Sequence, residues 1–324
     1  MKDHNERPAP VAVIDIGTNT LRLLIGSVAK GKVLRIASSR SVTRLGQNLQ
    51  TTGKLSGENI DNSIASLITF KEIGDRYGVR EYKAVGTSAL REAANSREFL
   101  DEVKKSTGIS AEVISGDREA ELTIKGIIAG TESGDNLQGP SLILDIGGGS
   151  TEWIIVDGKN HSMSSIPLGA VRLHELFIRH DPPTPEEAKT TEKYVFEHVK
   201  ESFLKNIPSQ PPGTVMSSFK TIIATGGTAT TIAAIDLGLG TYEGDKIHSH
   251  RISTSKLQVI LKELAQLPLI ERSKIRGLEP ERADIIIPGL LIFKTIMEMM
   301  QKEEAIVSDY GLLEGLLIEL FNHQ

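Results

Sequence analysis

The sequence predicts an α/β protein built from two related domains, and three observations carry that prediction. The chain has 324 residues and is 39% hydrophobic, longer than the roughly 250–300 residues at which one core stops growing. Strand-like and helix-like patterns alternate along it. Finally, Asp15-Ile16-Gly17 and Asp145-Ile146-Gly147 occupy matching positions, each between two apolar runs. That separation is far beyond a solenoid period of 20–50 residues, so it marks duplication of a whole domain.

The first run, residues 11–16, is β-branched and ends in Asp15, Gly17, Thr18 and Asn19, and a second run, 21–25, continues to Val28. The pair predicts a β-hairpin, followed by a Gly31-Lys32 turn and a third strand near 33–36. Spacing then predicts a helix over 56–77, a strand at 82–85, a helix around 97–106 and a strand at 111–114. Next comes a helix whose apolar face is Ala120, Ile124, Ile127 and Ile128. The second half repeats the alternation: a hairpin from Leu142 to the Asp157-Gly158 turn, a helix from 185 to about 203, a strand at 221–224 and a helix after Gly227. Residues 204–219, rich in Pro, Ser and Gly, are expected as a loop, 285–300 as an apolar helix, 305–307 as a short strand and 312–321 as a terminal helix. The domains expected are 1–130 with a returning segment of about 302–324, and 131–301.

Charged residues make up 24% and the net charge is −5, so no global basic field marks a nucleic-acid binder and any anion must be held locally. Cysteine is absent, which excludes disulfides and thiolate metal sites. The first ten residues are charged and proline-containing, unlike a secretory signal, and no apolar run approaches the ~20 residues of a membrane span. A cytoplasmic protein without membrane partners is expected.

Three segments share one design: a buried strand ending in small or hydroxylated residues whose backbone N–H groups can cradle phosphate. They hold Asp15, Gly17, Thr18, Asn19 and Thr20; Asp145, Gly147, Gly148, Gly149 and Ser150; and Gly226, Gly227 and Thr228. Glycine suits such a turn because a Cβ would keep the backbone away from the anion. A single glycine-rich turn is as well explained by a tight hairpin; three together point to phosphate. Asp145 and Glu152, with Asp15, offer hard oxygens of the kind Mg²⁺ uses beside phosphate. The plain alternative is a solvated Glu152 and an Asp145 that caps its own turn.

Thr87 and Arg91, at i and i+4 after a strand, place a hydroxyl and a forked guanidinium on one helix face; an N-cap threonine and a surface arginine would look the same. Glu119 and Glu121 lie about 200° apart round a helix and cannot serve one site. Glu121 has Lys125 at i+4 and is expected to pair with it. Glu119 has no such partner and is the candidate general base for a water. The histidines show no metal-ligand spacing, and His248 and His250 are expected as ordinary loop residues.

The chain resembles the exopolyphosphatase and guanosine pentaphosphate phosphatase family over essentially its whole length. The resembling segments are residues 15–20, Arg44-Leu45-Gly46, Gly86-Thr87 to Arg91, Ser115-Gly116 to Glu119-Ala120, residues 145–152, Pro167-Leu168-Gly169-Ala170-Val171-Arg172, Gly226-Gly227-Thr228 and Arg282-Ala283-Asp284. The resemblance implies two ribonuclease-H-like domains of the actin and sugar-kinase type, a cleft between them, and a terminal helix that packs on the first domain. It implies Glu119 as catalytic residue and phosphate or Mg²⁺ contacts on residues 15–20, Arg22, Thr87, Arg91 and the 145–152 turn. Two departures stand out: Trp153 replaces a smaller aliphatic residue, and the helical domains that follow in longer members are not in this sequence.

The expected activity is release of terminal orthophosphate from polyphosphate or guanosine pentaphosphate, with Mg²⁺ or Mn²⁺ as cofactor. Without the helical domains of longer members, processive action is not expected and there is room for a shorter substrate, such as guanosine pentaphosphate or a short polyphosphate. A kinase of the same fold and a non-catalytic polyphosphate- or alarmone-binding module are the alternatives. A homodimer is the base-rate expectation for a soluble chain.

Overall fold

The computed structural model describes residues 9–29, 31–130, 139–158, 160–206 and 219–322. The chain divides into two units, residues 1–134 with 310–324, and residues 135–309.

The first unit contains β1 (Val11–Ile16), β2 (Thr20–Ala29), β3 (Lys32–Val42), α1 (Leu49–Thr52), α2 (Gly57–Arg76), β4 (Tyr82–Gly86), α3 (Ser88–Glu92), α4 (Ser96–Thr107), β5 (Ala111–Val113) and α5 (Gly116–Gly130). The second contains β6 (Ser141–Ile146), β7 (Thr151–Asp157), β8 (Asn160–Ile166), α6 (Ala170–Phe177), α7 (Pro185–Asn206), β9 (Thr221–Thr225), α8 (Gly226–Asp236), α9 (Gly244–Ile247), β10 (Arg251–Ser253), α10 (Thr254–Ala265), α11 (Leu269–Arg272), α12 (Ile286–Met299) and β11 (Glu304–Val307). The last helix, α13 (Leu312–Asn322), belongs to the first unit.

The sheet orders are β3-β2-β1-β4-β5 and β10-β11-β9-β6-β7-β8. Without β10 and read from the other edge, the second order repeats the first. Strand directions agree as well: two antiparallel neighbours at one end (β1/β2/β3; β6/β7/β8) and two parallel ones at the other (β1/β4/β5; β6/β9/β11). The duplication read from two Asp-Ile-Gly triplets therefore extends through the whole topology.

The strands that carry those triplets, β1 and β6, are central and buried at every residue, which is why they are continuous apolar runs rather than alternating ones. Edge strand β3 alternates, and it runs on to Val42, well beyond the expected 33–36. One face of the first sheet is covered by α5 and α13: Val11, Val13 and Leu24 pack with Leu122, Leu316 and Leu317. Those helices nearly touch through glycine, since a Cβ on Gly126 would lie 1.8 Å from Gly311 O and one on Gly315 1.8 Å from Leu122 O.

Several expectations are corrected. Ile128 is exposed, whereas Leu122 and Thr123 are buried, because α5 is sandwiched between sheet and helix and needs a wider apolar surface. Glu121 pairs with Arg118 (2.8 Å), and Lys125 with Glu319 on α13 (3.0 Å). The chain rejoins the first unit at Tyr310, after β11 has paired in parallel with β9. The expected loop at 204–219 begins inside α7, which runs to Asn206, and 207–218 lie outside the described residues. Trp153 is a core residue, stacked on Phe203 (centroids 4.4 Å apart) with its indole N–H donated to Ser202 Oγ at 2.9 Å. Among the described residues no helix is long and apolar enough to cross a membrane.

Helix α7 opens with a capping box. Thr184 N donates to Glu187 Oε2 (2.8 Å), and Glu187 N donates back to Thr184 Oγ1 (3.2 Å). Burial disfavours ionisation of Glu187, but the Thr184 N–H, the His180 ring, the Arg179 N–H and the Thr184 hydroxyl outweigh it and hold the carboxyl at about 2. A depressed pKa adds stability above the ordinary carboxylate range that is lost as pH falls towards 2. Glu187→Gln is therefore expected to lower the thermal midpoint at pH 7 and to flatten its fall between pH 5 and 2, read by melts across that range.

Candidate functional site

In the first unit the site grows from the C-terminal end of β1. Cross-strand register places Asp15 opposite Arg22, and Arg22 opposite Arg40, so all three share one sheet face. It is the face on which Val11 and Val13 pack under α5: where the apolar residues end, Asp15 begins. Arg22 donates Nε and Nη2 to Asp15 Oδ2 at 2.9 and 2.7 Å. The other oxygen, Asp15 Oδ1, is buried and accepts no hydrogen bond.

The turn that follows is fixed through its carbonyls. Asn19 O accepts from Thr43 N and Arg44 N, and Thr18 O accepts from Gly46 N at 2.8 Å. A Cβ at Gly46 would lie 2.5 Å from Thr18 Cγ2, so only glycine lets the segment come this close. Thr18, Asn19 and Thr20 are buried. Thr87 N donates to Ile16 O at 3.3 Å, tying the start of α3 to the same end of β1. Arg91 Nη1 bonds Glu119 Oε2 at 2.7 Å and Ile114 O at 3.1 Å. Glu119 therefore has a partner that its own helix could not reveal. The residue is only 8% exposed, and a buried carboxylate needs such charge compensation.

The second unit repeats this construction. Gly147 N donates to Ser150 O, and the start of α6 holds the carbonyls: Ala170 N bonds Gly147 O, while Val171 N and Arg172 N bond Gly148 O. The buried Arg172 adds Nε to Gly149 O at 2.9 Å. Gly169 must be glycine, because a Cβ there would lie 2.2 Å from Gly148 O. With its carbonyls turned towards α6, the loop keeps the N–H groups of Gly148 and Gly149 out of any hydrogen bond among the described residues.

Asp145 and Glu152 are cross-strand partners, so their carboxylates share one face. Glu152 Oε1 accepts the Ser150 and Ser165 hydroxyls at 2.8 and 2.6 Å. Next to them, α8 begins at Gly226, whose φ of +85° suits glycine and where a Cβ would lie 2.3 Å from Asp145 Oδ1. The first N–H groups of that helix have no intrahelical acceptor, and its dipole favours an anion there. The Arg282 guanidinium lies against Gly227, where a Cβ would come within 2.4 Å of Nη1.

Within each unit, then, the structure gathers the residues expected: Asp15 to Thr20, Arg22, Thr87, Arg91 and Glu119 in the first, and Asp145 to Glu152 with Gly226, Gly227 and Thr228 in the second. Sequence reasoning missed the roles of Gly46, Ser165, Gly169, Arg172 and Arg282. The signal was present in the repeated Leu-Gly pair, Leu45-Gly46 and Leu168-Gly169; each pair docks its own turn. Among the described residues no three carboxylate or imidazole groups gather round one point. A cation could instead take Asp145 and Glu152 oxygens and complete its shell with water and phosphate, the usual manner of Mg²⁺. The unpartnered Asp15 Oδ1 is the oxygen of the first unit suited to a cation.

A model of the Ppx/GppA phosphatase family matches residues 24–324. "Exopolyphosphatase 2" of Mycobacterium tuberculosis is 29% identical over 96% of this chain and 98% of its own length. A solved structure of the Aquifex aeolicus Ppx/GppA family member superposes with a TM-score of 0.77 at 32% identity, covering 97% of this chain and 98% of that one. The structure of an exopolyphosphatase from Cytophaga hutchinsonii gives a TM-score of 0.85 at 28% identity, covering 97% and 98%. The chain belongs to the Ppx/GppA phosphatase family.

Proposed function

We propose that this protein is an exopolyphosphatase-type phosphohydrolase that removes terminal orthophosphate from inorganic polyphosphate, guanosine pentaphosphate or both. The observation that carries the reading is Glu119, a buried carboxylate on the first turn of α5 gripped by Arg91 at 2.7 Å. Membership of a phosphatase family and the exopolyphosphatase names of its relatives support the same activity.

In this reading Glu119 takes a proton from water as the water oxygen bonds to the terminal phosphorus. The bridging P–O bond breaks, its electron pair leaves with the shortened chain, and orthophosphate is released. Arg91 positions the base through the bond to its carboxylate. The 15–20 turn and Arg22 bind phosphate in the first unit, and the 147–150 and 226–228 turns bind it in the second. Asp145 and Glu152 would hold Mg²⁺ or Mn²⁺, which when bound supplies positive charge to the phosphate oxygens.

The test is orthophosphate release by the purified protein with Mg²⁺, offered long-chain polyphosphate, short-chain polyphosphate, guanosine pentaphosphate and ATP in parallel. Release from at least one of the first three is expected, stopped by EDTA and restored by Mg²⁺ or Mn²⁺. Silence on all four, or release from ATP alone, would overturn the reading.

A further inference from the structure

We infer that Ser165 is a positioning residue for Glu152, its hydroxyl fixing the carboxylate that would hold Mg²⁺ or Mn²⁺ in the second unit. This role rests on the reading in which Asp145 and Glu152 take a cation beside phosphate. The contacts that point to it do not.

Glu152 is 1% exposed, and a carboxylate buried that deeply needs strong hydrogen bonds. One of its oxygens, Oε1, accepts two hydroxyl protons: Ser165 Oγ donates at 2.6 Å and Ser150 Oγ at 2.8 Å. The Ser165 distance falls in the short range of a hydroxyl bonded to a charged acceptor. Two donors on one oxygen hold the carboxylate against rotation about its last torsion, which is otherwise soft. They also come from different elements. Ser150 belongs to the glycine turn that follows β6, and Ser165 lies on the edge strand β8, directly opposite Glu152 in register. The carboxylate is thereby tied both to the turn assigned to phosphate and to the sheet that carries Asp145.

The duplicated unit shows that the fold does not demand a hydroxyl at this position. Asp15 and Asp145 face Arg22 and Glu152 across their ladders. The next strand out places Arg40 opposite Arg22 and Ser165 opposite Glu152, so arginine and serine occupy equivalent positions of equivalent edge strands. The residue there differs together with the one it faces: serine, a compact donor, stands where that residue is a glutamate. Strands themselves favour β-branched and aromatic residues, so the serine answers to its partner rather than to the sheet.

A residue that hydrogen-bonds a metal's ligand sets that ligand's orientation, and its loss typically costs roughly 10–100-fold in metal affinity. Ser165→Ala removes the donor, whereas Ser165→Thr keeps a hydroxyl in a side chain suited to a strand. Mn²⁺ alone is titrated into wild type and both variants, with the bound ion followed by electron paramagnetic resonance. Orthophosphate release as a function of Mg²⁺ concentration and melts without metal are measured alongside.

Ser165→Ala is expected to bind Mn²⁺ about tenfold more weakly than wild type, and the Mg²⁺ concentration for half-maximal release should rise by a similar factor. Ser165→Thr should bind within about threefold of wild type, and kcat at saturating Mg²⁺ should change less than about threefold in either variant. Without metal, Ser165→Ala should melt within about 4 °C of wild type, because the Glu152 oxygen keeps its other hydroxyl. Equal Mn²⁺ affinity in wild type and Ser165→Ala would overturn the role. So would weaker binding that comes with a larger fall in melting midpoint and is not restored by threonine. Weaker Mn²⁺ binding by Ser165→Ala alongside a wild type that releases no orthophosphate would uphold the role and sink the hydrolase reading. Hydrolysis by a wild type that neither binds Mn²⁺ nor responds to Mg²⁺ would do the reverse.

Discussion

Glu119→Gln is expected to slow orthophosphate release about 10²- to 10⁴-fold, the usual contribution of a positioned general base, with substrate affinity changed little. Glutamine suits the test because it keeps an oxygen for Arg91 Nη1, which now bonds Glu119 Oε2 at 2.7 Å, and removes only basicity. Alanine would be ambiguous, since it strips the partner from a half-buried arginine and so disturbs folding as well. Measured kcat and KM on whichever substrate is turned over, together with a melt, decide the matter. A rate within tenfold of wild type at an unchanged melting midpoint would remove Glu119 from the chemistry. In the same experiment Arg91→Lys should lower kcat more than it raises KM, because a lysine cannot bond both Glu119 and Ile114 O as the guanidinium does.

How much of this was legible beforehand depends on how local the determining physics is. The Asp15 and Asp145 turns stood out because each follows a buried strand with glycine and hydroxyl residues, and the duplicated sheets followed from the repeat. Helix geometry separated Glu119 from Glu121, but the pair that set Glu121 aside, with Lys125, does not form: Glu121 bonds Arg118 and Glu119 bonds Arg91. The partner of Glu119 was not readable: Arg91 and Glu119 are 28 residues apart, and their meeting depends on the parallel pairing of β4 with β5, which no periodicity encodes. Lys125 was assigned to Glu121 on i,i+4 spacing and goes instead to Glu319 on α13, because a partly buried carboxylate on a docked helix competes better than a solvated neighbour. The Leu-Gly pairs at 45–46 and 168–169 carried no chemistry as sequence. Their role is to let one backbone reach another's carbonyls, and that exists only once both are placed. Helix α6 was missed for a related reason: it opens with no side-chain cap of its own, and its first N–H groups are satisfied by the glycine loop across from it.

Gly315→Ala is expected to lower stability by about 3 kcal/mol, the upper end for overpacking. A Cβ at that position would lie 1.8 Å from Leu122 O and 2.6 Å from Leu122 C, and both are backbone atoms of a regular helix. A side chain can rotate out of the way, but a helix carbonyl cannot, so α5 and α13 must separate. In a unit of this size such a loss corresponds to a fall in melting midpoint of roughly 6–12 °C. Gly126→Ala should behave alike, as its Cβ would lie 1.8 Å from Gly311 O. The double variant should lose clearly less than the sum, because one separation makes room for both methyl groups. Gly57→Ala is the control: Gly57 opens α2 with nothing within 4 Å of its added Cβ, and the substitution should be neutral or slightly stabilising. The same crossing bears on activity, since α5 carries Glu119 near its start and is tied to α13 by the bonds of Arg118 and Lys125 to Glu319. Folded Gly315→Ala protein should therefore show a reduced kcat at a temperature where it is still native. A variant that melts with wild type and keeps its kcat would mean that the two helices have room to spare, and that the base is not held by this crossing.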